Sequence, residues 1–299
     1  MSLDKAYSHT IEELQLDNLK ESLKVRLDEV QKSHDAIHEF MLLAPKMSPR
    51  KGVSWHARSA FLLYHWETFD SAHRSLIEAL YGYYNVAFVL LRSVLELLLK
   101  GAFFECLAHR EFRDNTKVLE KDGNGARLIN LLKKVVGEKP EIESQLEKSS
   151  ATVHDMVMVV IEDPAYRPSV QTLVKQLFTW GLFKPIKDWR REIWKLYGKL
   201  SADVHVIPDR TDVGKVLLLK PEDLFKRKTV YPSRLEEYLG YLHEVVDIGI
   251  VIELNILKDN LKYDEVRANL MERLPYLEEL ELAHSVDRVK SFLRMSVGE

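Results

Sequence analysis

Apolar residues recur three and four positions apart along most of this chain, and glycine and proline fall mainly between the periodic stretches. That pattern predicts an all-α protein, a multi-helix bundle with antiparallel long helices, forming a single helical domain over residues 1–299. Long helices are expected over residues 9–43, 55–81 and 84–111. The short Tyr81-Gly82-Tyr83 corner makes the second and third antiparallel neighbours. Further helices are expected over 126–136, 141–161 (weakened at Ser149-Ser150), 169–180 under a Ser169 cap, and 185–205 opened by Pro185. A helix capped by Ser233 follows to residue 257, with one or two amphipathic helices after it. Residues 215–219 are expected to be extended.

The most apolar span, residues 84–104, carries Arg92, Glu96 and Lys100 on one helical stripe. Three charges near the middle of a membrane span would be costly, so this segment reads as a core helix. The N-terminal stretch is polar and has no apolar signal core, which predicts a cytoplasmic protein without membrane contact. A formal net charge of −3 excludes a global basic field, so nucleic-acid binding would need a local patch. The single cysteine, Cys106, excludes an intrachain disulfide and a cysteine-based zinc cluster, and its apolar setting predicts a buried thiol.

Candidate chemistry concentrates at one helix end. Tyr197, Ser201 and His205 follow each other at i, i+4 and i+8, with Lys199 and Asp203 as a second i, i+4 pair. His205 at a helix C-terminus, where the macrodipole favours imidazolium, can act as general acid or base, or simply cap carbonyls. Asp209, Arg210 and Asp212 follow in a loop and can extend the site or make turn hydrogen bonds. Arg92 and Glu96 form an i, i+4 pair on a helix apolar almost all round. The cost of burying two charges predicts a partner from another helix. His34 and His38 have a metal-compatible spacing but no third ligand indicated by the sequence, so they are expected to be solvated surface histidines. His65, Glu67, Asp70 and His73 read as core-edge packing. No GxGxxG, Walker A, GxSxG or HExxH motif occurs, and Gly123-Asn124-Gly125 lacks the context of a dinucleotide site. No cofactor or metal is expected.

An antiparallel helix pair carrying Leu-Leu-Arg-Ser-x-x-Glu, followed by a helix ending Tyr-x-x-Leu-Ser-x-x-Val-His, resembles the HEPN superfamily, in particular its abortive-infection-like branches. The residues carrying the likeness are Tyr84, Arg92, Glu96, Tyr197, Leu200, Ser201, Val204 and His205, and it covers about residues 57–206. The resemblance implies an all-helical fold and a homodimer. It also implies either a metal-independent ribonuclease of toxin or defence type, or a module that binds RNA or a nucleotide. Active members carry an arginine four to six residues before the histidine. Lys199 stands in the matching position here, keeping the charge but losing the bidentate guanidinium fork.

With Arg92 or Lys199 stabilising phosphorane charge, His205 would be the general acid or base for attack by a ribose 2′-hydroxyl. Glu96 would orient Arg92, and Tyr197, Ser201, Asp203, Asp209 and Arg210 would hold substrate. The rival reading is a non-catalytic helical interaction protein with a buried Arg92–Glu96–His205 network. A third is a metal-dependent hydrolase built on helical histidines and carboxylates.

Overall fold

The computed structural model describes residues 16–146, 148–161, 167–184, 188–204 and 230–297, with a few helical residues before them. Among the described residues there are thirteen α-helices and no strand, so the all-α reading holds. In chain order they are α1 Leu16–Met47, α2 Gly52–His56, α3 Ala60–Leu80, α4 Tyr84–Ala108, α5 Arg110–Arg113, α6 Gly123–Glu138 and α7 Pro140–Leu146. After these come α8 Ser150–Ile161, α9 Val170–Thr179, α10 Trp189–Val204, α11 Pro232–Ile256, α12 Asp264–Glu279 and α13 Ala283–Val297. No described helix is long and apolar enough to cross a membrane.

The centre is α4, which packs on α3, α8, α9, α10 and α11. Gly82 at φ 82°, a conformation that glycine adopts without penalty, turns the chain between α3 and α4. The two helices then run antiparallel, with Ser75 near Ala87 and Ser59 near Glu105. α1 is antiparallel to α3, as Ser22 donates to the Leu80 carbonyl and His65 Nε2 lies 3.0 Å from the Phe40 carbonyl. α11 closes the group, its Tyr238 and Ser75 hydroxyls 2.7 Å apart. One hydrophobic cluster runs from Val30 on α1 to Phe292 on α13.

α3 and α4 come close together at Gly101. A Cβ there would fall 2.7 Å from Tyr64 Cβ, an atom fixed to the backbone of α3. Gly101→Ala therefore forces the helices apart. Overpacking of about 1–3 kcal/mol outweighs the roughly 1 kcal/mol that alanine contributes to helix propensity. A urea melt should show a net loss of up to about 2 kcal/mol; a stability above wild type would contradict this packing.

Several boundaries differ from the sequence expectation for local reasons. α1 continues through Pro45 to Met47, because Asn269 and Asn260 donate to the Lys46 and Met47 carbonyls at its end. The expected 55–81 helix is broken: α2 stops at His56, and Ser59 caps α3 by accepting from the Leu62 amide. α4 ends at Ala108, where His109 is extended. Asp122 caps α6 directly at Gly123, and α6 runs on past Gly137. Pro232, not Ser233, opens α11. Pro140 and Ser169 stand at the helix starts expected of them, and Leu146 and Ser150 flank the predicted break. Residues 215–219 lie outside the described residues.

Candidate functional site

α4 presents Arg92 and Glu96 one turn apart, and the partner expected from another helix is Tyr197 on α10. Arg92 Nε donates to Glu96 Oε1 at 3.1 Å, and Arg92 Nη2 donates to the Tyr197 hydroxyl at 2.6 Å. Tyr197 in turn donates to Glu96 Oε1 at 3.1 Å, which closes a triangle between the helices. Lys100 Nζ lies 3.6 Å from the other Glu96 oxygen. Burial, and then the Glu96 carboxylate, pushes the Tyr197 phenol above its ordinary pKa, so it stays a donor at neutral pH.

The triangle sits at the rim of the bundle. The Arg92 and Glu96 side chains keep 20% and 23% of their exposure, enough for a ligand to reach them. The guanidinium carbon lies 4.8 Å from the centre of the Tyr197 ring. Trp194, one turn earlier, stacks on that ring at 5.4 Å and 17°, with 42% of its own surface exposed. Two of the three guanidinium nitrogens are engaged. Among the described residues nothing accepts from Arg92 Nη1.

The remaining sequence candidates do not all join this group. Lys199, two residues beyond Tyr197, is on another helix face, and its ammonium lies 4.6 Å above the Tyr241 ring of α11. Ser201 donates to the Tyr197 carbonyl of its own helix at 2.6 Å. The Asp203 side chain, His205, Asp209 and Arg210 lie outside the described residues. Cys106 is buried, and desolvation, then Glu105, holds its thiol protonated, so it has no nucleophilic character.

Three groupings escaped the sequence reading. His34 and His38 do have a third histidine: His73 of α3 faces them, because antiparallel packing of α1 on α3 brings the two helical stripes together. The sequence pairs only the two helices joined at the Gly82 corner; neither the packing of α1 on α3 nor its rotation was legible. His65, expected at the edge of the core, is buried instead, 3.6 Å from Glu253 of α11. Glu39 is likewise buried and paired with Arg273 of α12. No family model, no curated protein and no solved structure matches the chain.

Proposed function

We propose that this chain is a HEPN-like helical protein that binds single-stranded RNA or a nucleotide at the α4–α10 face. The observation that carries the reading is the packing of a guanidinium and a half-exposed indole on one tyrosine ring. Bases stack on such aromatic surfaces whatever their sequence, and arginine adds cation–π attraction and a phosphate contact. Arg92 Nη1 is the donor available to that phosphate, while Glu96 and Tyr197 hold the guanidinium plane still.

A ribonuclease activity is the finer part of the proposal, with His205 as general acid or base and Arg92 supplying the guanidinium missing at position 199. The seat of Lys199 on Tyr241 favours Arg92 over Lys199 for that role. The homodimer implied by the family resemblance belongs to the same proposal.

Fluorescence anisotropy with a labelled single-stranded RNA tests the binding. Trp194→Ala should weaken it by about 1–3 kcal/mol, the loss of one stacked base. Arg92→Ala should also lower the slope of log K against log salt by about 0.7, one phosphate contact on a single strand. If wild type and both variants bind equally, or wild type binds no RNA or nucleotide, the reading fails. Cleavage in chelator that is the same for wild type and His205→Ala would remove the catalytic part alone.

One observation favours the rival reading, a structural network in an interaction protein: the Arg92–Glu96–Tyr197 triangle satisfies most of its own polar atoms. On that reading Arg92→Ala lowers stability and leaves RNA affinity unchanged.

A further inference from the structure

Three imidazoles from two helices converge at the α1–α3 contact. His34 and His38 lie one turn apart on α1, and His73 comes from α3. His38 Nε2 is 3.2 Å from His34 Nε2 and 3.3 Å from His73 Nε2. The ligand nitrogens of all three lie within 4.8 Å of one another. A tetrahedral ion with metal–nitrogen bonds of about 2.0–2.1 Å holds its nitrogens roughly 3.3–3.4 Å apart. Two edges of this triangle therefore already have metal-site length. The third needs a closing shift of no more than about 1.5 Å.

Protons alone do not satisfy this arrangement. His34 Nδ1 faces Asp35 Oδ1 at 3.4 Å, and Asp35 is itself held by Gln31 at 2.9 Å. His73 has a backbone hydrogen bond at Phe69. Carboxylate and carbonyl partners of this kind place the proton on the outer ring nitrogen and turn the Nε2 lone pair inward. His38 Nε2 then faces two lone pairs with at most one proton to donate. A cation shared by all three accepts the three Nε2 lone pairs.

The surroundings suit such an ion. The Phe69 ring packs edge-on against His38 and His73, and Asp35 and Asp70 place negative charge beside the rings. Asp35 and His38 also border an open cleft of about 640 Å³ between α1 and α12, from which water can complete the coordination shell.

We infer that His34, His38 and His73 form a binding site for a first-row divalent transition metal of the Zn²⁺, Co²⁺ or Ni²⁺ type. An all-imidazole ligand set selects these ions over Mg²⁺ and Ca²⁺, which prefer oxygen. The bound ion bridges α1 and α3, and three protein ligands leave a position for water. The site is separate from the RNA-binding proposal, which requires no metal.

The test is titration of the chelator-treated full chain with Co²⁺, followed by visible absorption, with displacement by Zn²⁺. One ion per chain is expected, with the intense bands of a low-symmetry cobalt–imidazole site. His73→Ala removes the only ligand from α3 while keeping the His34–His38 pair. It should weaken binding by more than the roughly 10–100-fold lost with an outer-shell partner. Circular dichroism and the metal-free melting curve should stay as in wild type, since all three rings are partly exposed. Added Zn²⁺ should raise the melting temperature of wild type and not that of His73→Ala. Equal affinity in His73→Ala and wild type, or well under one ion per wild-type chain, overturns the inference.

Discussion

A Glu105→Leu variant should lose about 2–6 kcal/mol of stability, roughly 1–3 kcal/mol for each of two buried donors left without an acceptor. Glu105 is buried near the end of α4, where it accepts from the Ser59 hydroxyl at 2.9 Å, the Phe61 amide at 3.0 Å and the Ser150 hydroxyl at 2.5 Å. Ser59 caps α3, and Ser150, the first residue of α8, also accepts from the Ala60 amide. One carboxylate thus joins the starts of α3 and α8 to the end of α4. Leucine fits the space but leaves the Ser59 hydroxyl and the Phe61 amide without an acceptor, while Ser150 keeps the Arg58 carbonyl at 3.2 Å. Burial alone would raise the Glu105 pKa. The His109 imidazole, 3.8 Å away, and hydrogen bonds from Ser150, Phe61 and Ser59 outweigh it and hold the carboxyl below its ordinary value.

The sign of the pH effect follows. A depressed folded-state pKa contributes stability above the unfolded value near 4.5, and that stability is lost as pH falls through the folded value. Urea melts from pH 3 to pH 7 should show the wild type losing this increment on acidification and Glu105→Gln showing a flatter profile. A Glu105→Leu melt within experimental error of wild type would contradict the network.

The second large effect has the opposite sign. Glu253 is fully buried on α11, and desolvation pushes its carboxyl up to about 7. Neither oxygen has a hydrogen-bond partner among the described residues; His65 Nε2 stands 3.6 Å from Oε2, just beyond hydrogen-bond reach. A raised folded-state pKa means stability is fully present below the unfolded value near 4.5 and is lost as pH rises toward the folded value near 7. Above pH 7 the penalty reaches about 3 kcal/mol, from the shift at roughly 1.4 kcal/mol per pKa unit. Glu253→Gln keeps the shape of the neutral acid and cannot ionise. It should match wild type at pH 4 and exceed it by up to about 3 kcal/mol at pH 8. Parallel pH profiles for the two proteins would contradict a protonated Glu253. Glu105 and Glu253 are the same residue at the same depth, so the difference lies in their hydrogen-bond donors, not in burial.

The parts of the fold legible in the sequence were those set by short-range chemistry. Gly82 at a corner, Pro140 at a helix start and Ser169 at a cap act within a few residues of themselves. The cost of burying Arg92 and Glu96 also predicted a partner on another helix, and Tyr197 is that partner. Features that depend on how helices rotate against each other were not legible. His73 reaches His34 and His38 only through the α1–α3 register. Lys199 faces Tyr241 because two residues along a helix turn a side chain by about 200°. Pro45 stays inside α1 because Asn260 and Asn269, more than two hundred residues later, satisfy its terminal carbonyls.

The proposed RNA binding is tested most directly by crosslinking. A short single-stranded RNA carrying 4-thiouridine can be photo-crosslinked to the full chain and the adducts mapped by mass spectrometry. The account predicts crosslinks at Trp194 and Tyr197 on α10, reduced in Arg92→Ala. An absence of specific crosslinks, or crosslinks confined to other helices and insensitive to Arg92, would contradict it.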